Sequence, residues 1–244
     1  MNGKSKSQNI LIVDDEHALR EMLSVSLELQ GSKTYKAANV QEALDIIEKN
    51  PIDIVLSDIR MPNGDGIELL KKAKKRNAKA PVVLLMTGSS EFSLQDAAVE
   101  GAEAIFLKPI SIQPLMSLIS LSRGSKQFDW TSYIDQTHVD IDATLKFANL
   151  KQAKTSRILS LGSSGMFATL VPEEYPAINA AVSFRIGPIS GGSGETIDGK
   201  GVVRWARVRD SKDFPLGCGI EFLYISERHR KEIEKFLEST KLGK

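Results

Sequence analysis

The sequence is poor in cysteine, with Cys218 as the only one among 244 residues. An intrachain disulfide needs two cysteines and a thiolate metal cluster needs several, so both are excluded. A reducing compartment is then the simpler expectation. Because Cys218 stands between two glycines, we expect it to be a small buried residue and not a reactive thiol.

Long hydrophobic runs are also absent. No stretch approaches the ~20 apolar residues that a membrane-spanning helix needs. Residues 1–8 are polar and do not contain the apolar segment of a signal peptide. We therefore expect a cytoplasmic protein without a membrane span.

The third absence is an excess of charge of either sign, because Lys plus Arg number 32 and Asp plus Glu number 31. A duplex DNA binder normally presents a basic face, so this balance argues against DNA as a partner. The second half contains no helix-turn-helix pattern and no set of nucleophile, base and orienting group. Neither a transcription factor nor an enzyme is expected.

The first half alternates short apolar runs with segments whose apolar residues recur at helical spacing. This pattern is typical of strands and crossover helices in a parallel sheet. It predicts an α/β domain over residues 1–123, with a doubly wound five-stranded sheet. The expected strands are residues 10–13, 33–38, 52–56, 82–86 and 104–107.

The second half follows a different period. From residue 139 apolar and polar residues alternate one by one, with a period of two, which predicts half-buried antiparallel strands separated by Gly-rich breaks. We expect five or six strands in a small all-β barrel over residues 139–240, closed by a C-terminal helix. Residues 124–138 form the predicted linker, and its large side chains are expected to pack on one of the two domains. These side chains are Phe128, Trp130, Tyr133 and Ile134.

Polar side chains follow the predicted strands of the first half. In an open parallel sheet the ligand site lies at the carboxyl ends of the strands, where Asp14, Asp15, Asp58, Thr87 and Lys108 are expected to meet. Clustered carboxylates repel one another unless a cation lies among them, and oxygen ligands suit Mg²⁺. A carboxylate nucleophile beside Mg²⁺, an ammonium group and a hydroxyl group is sufficient for phosphoryl transfer.

Four short motifs in this half resemble those of a response-regulator receiver domain. They are Val13-Asp14-Asp15, Ser57-Asp58-Ile59-Arg60-Met61-Pro62 with Asp65-Gly66 beyond it, Thr87-Gly88, and Lys108-Pro109. The resemblance covers about half of the chain. It implies a histidine kinase or a phosphotransfer protein as the partner.

The resemblance also implies the role of each site residue. Asp58 would be the phosphoacceptor, and Thr87 and Lys108 would bind the phosphoryl oxygens. Mg²⁺ would be held by Asp14, Asp15 and Asp58 together with the backbone carbonyl of Arg60. The peptide bond before Pro109 would be cis.

One position departs from the receiver pattern. Many receivers carry Tyr or Phe three residues before the lysine of the fifth strand, and here that residue is Ile105. We hypothesise that a change at Thr87 is transmitted by backbone or loop movement between Thr87 and Glu91.

Residues 139–240 resemble a PilZ domain, a β-barrel that binds cyclic di-GMP in many bacterial proteins. The resemblance lies in residues 157–167, 201–205 and 217–222. That family binds its ligand through an Arg-x-x-x-Arg pair and an Asp/Asn-x-Ser-x-x-Gly motif. Alignment on Gly165 places Ser160 and Gly162 at the first two motif positions, and residues 124–152 contain no arginine.

The Arg-x-x-x-Arg pair is therefore absent, and with it the guanidinium groups that would pair with phosphate and stack on guanine. We therefore expect a protein-interaction module for which cyclic di-GMP is an unlikely ligand and whose downstream target is unknown. The alternative is a dual-input effector whose divergent barrel does bind cyclic di-GMP. A non-standard anion site also stays open, although a solvated outer face is the simpler interpretation. The arginines concerned are Arg157, Arg185, Arg204, Arg207 and Arg209.

Overall fold

In the computed structural model, the apolar runs of the first half form one parallel sheet. Its strands are β1 (Asn9–Val13), β2 (Lys33–Ala37), β3 (Ile54–Asp58), β4 (Val82–Thr87) and β5 (Ala104–Leu107). They lie in the order β5-β4-β3-β1-β2, and every neighbouring pair is parallel. The predicted doubly wound five-stranded sheet is confirmed.

In the described part of the first half, five helices connect or follow these strands. They are α1 (His17–Leu29), α2 (Val40–Lys49), α3 (Gly66–Arg76), α4 (Leu94–Val99) and α5 (Ile112–Ser122). Helix α2 begins at a reciprocal cap, because the Asn39 side chain accepts from the Glu42 N–H at 2.9 Å while Glu42 accepts from the Ala38 N–H at 2.8 Å. Asp65 caps α3 by accepting the N–H of Glu68 at 2.7 Å.

The structure describes residues 7–62, 64–77, 81–89, 93–122, 137–171, 175–189, 194–209 and 215–242. A first compact unit comprises residues 1–88 and 95–126, and the second is formed chiefly by residues 127–244. Within the described residues, no helix combines the length and the apolar character required to cross a membrane.

The predicted third strand, residues 52–56, was wrong by two residues at each end. Ile52 lies in the turn after α2, where its N–H donates to Asn50 O at 2.9 Å. The sheet pairing starts at Ile54 instead, opposite Ile10 of β1 and Val82 of β4. The turn and the strand cannot be separated from sequence, because hydrophobicity alone does not distinguish a buried turn from a buried strand. Asp58 is the last residue of β3.

The second unit contains six antiparallel strands among the described residues. They are β6 (Thr137–Phe147), β7 (Lys154–Leu161), β8 (Gly165–Thr169), β9 (Ala181–Ile186), β10 (Ile197–Arg207) and β11 (Gly217–Ile225). They follow the order β11-β8-β7-β6-β9-β10, and a further pairing of β10 with β11 closes the barrel. Strand β6 begins two residues before the predicted start of the barrel. The four large side chains of the predicted linker lie outside the described residues.

Helix α6 (Glu227–Leu242) follows the barrel, as predicted. Ser226 caps it by accepting the N–H of His229 at 3.2 Å. Ile233, Phe236 and Leu237 are buried, so the expected apolar stripe is the packed face of the helix.

Two glycines of β11 make room for aromatic rings inside the barrel. The rings of Phe167 and Trp205 stack with centroids 5.2 Å apart. A Cβ atom at Gly217 would lie 2.1 Å from the Phe167 ring, and one at Gly219 would lie 1.9 Å from Trp205 Nε1. Cys218 lies between the two glycines and is fully buried, and this burial raises the pKa of its thiol.

Replacement of Gly219 should therefore destabilise the barrel. Gly219→Ala places a methyl group where the Trp205 indole lies, so we expect the free energy of unfolding to fall by about 1 to 3 kcal/mol. Leu223→Ala on the same strand is the matched control, because Leu223 is 63% exposed, and it should change stability by less than about 0.5 kcal/mol. Urea unfolding followed by tryptophan fluorescence measures both, and equal stabilities would contradict the packing argument.

Candidate functional site

Four strands of the first sheet end at the same edge. The register pairs Val13 with Ser57 and Asp58 with Met86, and it pairs Thr87 with Leu107. The residues that follow or end these strands are consequently neighbours in space. The sequence predicted this gathering correctly, because parallel strands present their carboxyl ends on one side.

Asp14, Asp15 and Asp58 form a tight acidic cluster at this edge. Each contributes a carboxylate oxygen, and these oxygens all lie within 4.8 Å of one another. Asp14 is fully buried and Asp58 is 6% exposed, while Asp15 is exposed. Three hard oxygen donors that are partly open to solvent suit Mg²⁺, which keeps several waters when it binds to carboxylates. The donor set thus fits the metal that the sequence predicted.

Lys108 joins the two buried carboxylates. Its Nζ lies 2.6 Å from Asp14 Oδ2 and 2.5 Å from Asp58 Oδ2. Burial opposes the charge on Lys108, but the hydrogen bonds to Asp14 and Asp58 more than offset it and raise the pKa of the lysine. Its backbone N–H donates to Thr87 O at 2.8 Å, and the following bond to Pro109 is cis, as the resemblance implied.

The pKa of Asp58 is raised above its ordinary value. Burial is the main cause, and the nearby negative charge of Asp14 adds to it. The ion pair with Lys108 acts in the opposite direction and does not cancel these effects. Asp58 Oδ1 also accepts from the backbone N–H of Arg60 at 3.3 Å, so the backbone of Arg60 lies beside the carboxylate. Participation of its carbonyl in metal binding stays a prediction.

Backbone contacts fix the position of Asp58. Its carbonyl accepts from Ser57 Oγ at 2.9 Å, and the next residue, Ile59, donates its N–H to Met86 O at 2.8 Å. A Cβ atom at Gly66 would lie 2.2 Å from Asp58 O, so only glycine fits at the start of α3. The sequence marked Gly66 as part of a motif, and the structure supplies the steric reason.

Thr87 and Ile105 lie where the sequence placed them. Thr87 ends β4 and is 1% exposed, and Ile105 is fully buried in β5. The hypothesis that a change passes from Thr87 to Glu91 stays a prediction, because residues 90–92 lie outside the described residues.

The sequence did not single out Arg20 of α1, although it touches the site. One of its guanidinium nitrogens, Nη1, donates to the backbone carbonyl of Asp14. A side chain that donates to a backbone carbonyl needs no charged partner. No pair of opposite charges in the sequence therefore marks it. The only available signal was a basic residue six positions after Asp14, near the start of a helix.

Together the fold and the site define a class of protein: an open α/β sheet with a buried carboxylate, an acidic edge whose oxygen donors suit Mg²⁺, and a lysine that contacts both buried carboxylates. The model of the response regulator receiver domain matches residues 10–120. Sporulation initiation phosphotransferase F of Bacillus subtilis is 34% identical over 113 residues, which cover 46% of this chain and 91% of that protein. This chain belongs to the response regulator receiver family through its first half.

Two further relatives show the extent of the similarity. The response regulator protein PilR of Pseudomonas aeruginosa is 34% identical over 114 residues, and the match spans only 25% of its length. A solved CheY-like receiver domain protein from Methanospirillum hungatei is 31% identical and matches 49% of this chain and 95% of that one, with a TM-score of 0.45. These similarities concern the first half of the chain.

The raised pKa of Asp58 makes a prediction about stability. In EDTA at neutral pH, Asp58→Asn removes a buried charge that is repelled by Asp14, so we expect the free energy of unfolding to rise, because burial and this repulsion outweigh the ion pair with Lys108. Ionised Asp58 thus lowers the stability of the wild-type protein, and this loss is relieved as pH falls, because native Asp58 takes up a proton at a higher pH than unfolded Asp58 does. The difference between the two proteins should therefore shrink toward acid pH. Urea unfolding across a pH series measures it.

Asp15→Asn is the control for this prediction, since Asp15 is exposed and its removal should change stability less. Adding Mg²⁺ should stabilise the wild type more than Asp58→Asn, because binding to the native state shifts the folding equilibrium. A variant Asp58→Asn that is less stable than the wild type in EDTA would contradict the electrostatic argument.

Proposed function

We propose that this chain is a two-component response regulator that is phosphorylated on Asp58 by a histidine kinase or a phosphotransfer protein. The observation that carries the proposal is the contact of Lys108 with both Asp14 and Asp58 at the acidic edge of the sheet. Asp14, Asp15 and Asp58 would hold Mg²⁺ together with the backbone carbonyl of Arg60. When bound, the metal would neutralise charge on the incoming phosphoryl group.

The residues of the site divide the reaction among them. A carboxylate oxygen of Asp58 attacks phosphorus as the bond from phosphorus to the donor nitrogen breaks. The phosphoryl group is thus transferred from nitrogen to oxygen, and no redox step is involved. Lys108, which already lies 2.5 Å from Asp58, stabilises negative charge on the transferred oxygens. Thr87 ends the neighbouring strand β4 and supplies a hydroxyl donor.

A small phosphodonor tests the acceptor directly. In phosphoramidate and Mg²⁺ we expect the wild-type protein to gain the mass of one phosphoryl group, because the Asp58 carboxylate is positioned as the nucleophile. Asp58→Asn should gain none, and EDTA should prevent labelling of the wild type. Intact-protein mass spectrometry measures the adduct.

Asp45→Asn is the matched control for this experiment, since Asp45 is an exposed helical aspartate that accepts a hydrogen bond from Gln41 and lies outside the site. It should be labelled like the wild type. Equal labelling of Asp58→Asn and the wild type would contradict the assignment of Asp58 as the acceptor.

For the second half, we propose a PilZ-like barrel that acts as a protein-interaction module and does not bind cyclic di-GMP. At the aligned motif positions, Ser160 is fully buried. Gly165 is the one motif residue that is kept, and a Cβ atom there would lie 2.6 Å from Ile220 O. Packing between β8 and β11 is therefore enough to require this glycine, without a ligand.

The ion pairs on the barrel also support this proposal. Three of the five arginines that the sequence singled out each contact a carboxylate on an adjacent strand. The pairs are Arg157 with Asp140 (2.6 Å from Nε), Arg185 with Asp198 (2.7 Å from Nε), and Arg204 with Glu221. An anionic ligand at any of these guanidinium groups would have to displace a resident carboxylate.

Titration calorimetry with cyclic di-GMP separates the two proposed roles of the barrel. We expect no saturable heat at micromolar concentrations, because the ligand motif is incomplete and the arginines have internal partners. The measurement should be made before and after treatment with phosphoramidate. Saturable binding at micromolar or tighter affinity would favour the dual-input effector.

A double variant, Asp140→Asn with Asp142→Asn, refines this experiment. It removes the two carboxylates within reach of Arg157. Binding by the double variant but not by the wild type would show that the resident carboxylates contribute to exclusion of the ligand. Absence of binding in both would leave the missing motif residues as the sufficient cause.

A further inference from the structure

Arg20 contacts the backbone of the acidic edge from helix α1. Its N–H continues the first turn of the helix by donating to Glu16 O at 3.2 Å, and its guanidinium reaches back to the carbonyl of Asp14. Glu16, the N-cap residue, makes no side-chain hydrogen bond to the helix. The side chain of Arg20 therefore links α1 to the segment that carries Asp14 and Asp15.

The carbonyl that Arg20 contacts belongs to the peptide unit between Asp14 and Asp15. The orientation of this unit sets the directions in which the two side chains leave the backbone, because a peptide group is planar and rigid. Asp14 points inward and is fully buried, whereas Asp15 is exposed. Their carboxylate oxygens nevertheless lie within 4.8 Å of each other and of Asp58.

The other polar groups of Asp14 are each held by a different part of the first unit. Its N–H donates to Ala37 O at 3.2 Å, and its Oδ1 accepts from the Glu16 N–H at 2.9 Å. Its Oδ2 is bound to Lys108. The carbonyl lies beyond the last paired residue of β1, so none of the strands in the described residues pairs with it. Loss of Arg20 would leave the carbonyl of a fully buried residue without this donor.

We propose that Arg20 is a positioning residue for Mg²⁺ binding: its guanidinium fixes the peptide unit between Asp14 and Asp15 and thereby the spacing of the two carboxylates. The inference rests on the proposed function, since it assigns Asp14 and Asp15 to the metal. It adds a residue that touches neither the metal nor the phosphoryl group. Partners that orient metal ligands typically change metal affinity by about 10- to 100-fold when they are removed.

A simple charge effect predicts the opposite sign. Arg20 is a cation close to a site for a divalent cation, so repulsion alone would make Mg²⁺ bind more tightly after its removal. A purely structural role would lower the melting temperature and leave the affinity of the folded protein unchanged. The direction of the change in Mg²⁺ affinity distinguishes these three explanations.

The experiment compares Arg20→Met and Arg20→Lys in the full chain. Isothermal titration with MgCl₂ gives the dissociation constant, and thermal unfolding in EDTA gives stability. We expect Arg20→Met to weaken Mg²⁺ binding by about 10-fold, because the carbonyl loses its donor. Arg20→Lys, which keeps a donor, should recover part of the affinity.

Lys36→Met is the matched control, because Lys36 is a surface cation that pairs with Glu21 of the same helix at 2.8 Å. The dissociation constant of the Lys36→Met variant for Mg²⁺ should equal that of the wild type. Unchanged or tighter binding by Arg20→Met would overturn the positioning role. Failure of the wild type to bind Mg²⁺ would instead count against the proposed function, so the two failures are distinguishable.

Discussion

The first half of the molecule depends on the contact of one lysine with two buried carboxylates. Asp14 and Asp58 are placed together by the order of β1 and β3, and their like charges would repel without compensation. Lys108 arrives from β5, at the far side of β4, and contacts both. The strand order, the positions of the strand ends and the glycine at the start of α3 all serve this contact. Together they place Asp14, Asp58 and Lys108 close to one another.

This arrangement favours the proposed phosphoryl transfer more than it favours the stability of the folded state. A buried carboxylate whose pKa is raised is poorly solvated, and a metal cation can improve its surroundings. Lys108 does not fully compensate the cluster, because three carboxylates meet one ammonium group there. The site thus retains negative charge that attracts Mg²⁺, and the bound metal would then favour an incoming phosphoryl group. The same excess of negative charge would account for both the proposed Mg²⁺ binding and a lower stability of the metal-free site.

The sequence predicted the receiver well because its signals are local. Asp58, Thr87 and Lys108 each stand at the end of an apolar run, and parallel strands bring such ends together. The error at Ile52 arose because an apolar residue in a buried turn resembles one in a strand. Arg20 was missed for another reason: it acts on a backbone carbonyl, which no residue pattern reveals. The space that Gly219 leaves for Trp205 could not be foreseen either, since it depends on which strands become neighbours.

The ion pairs on the surface of the barrel differ from the acidic cluster of the receiver in one physical respect. In that cluster Asp14 and Asp58 are buried, so each additional charge alters the whole cluster. In the barrel the side chains of Arg157 and Asp140 are 51% and 61% exposed, and those of Arg185 and Asp198 are 66% and 50% exposed. Exposed ion pairs contribute little to stability, and water can replace either partner. A protein partner with complementary charges can therefore exchange with these pairs at small energetic cost, whereas a nucleotide also needs the stacking and phosphate-binding groups that the motif positions lack. This difference supports the proposal that the barrel is a protein-interaction module.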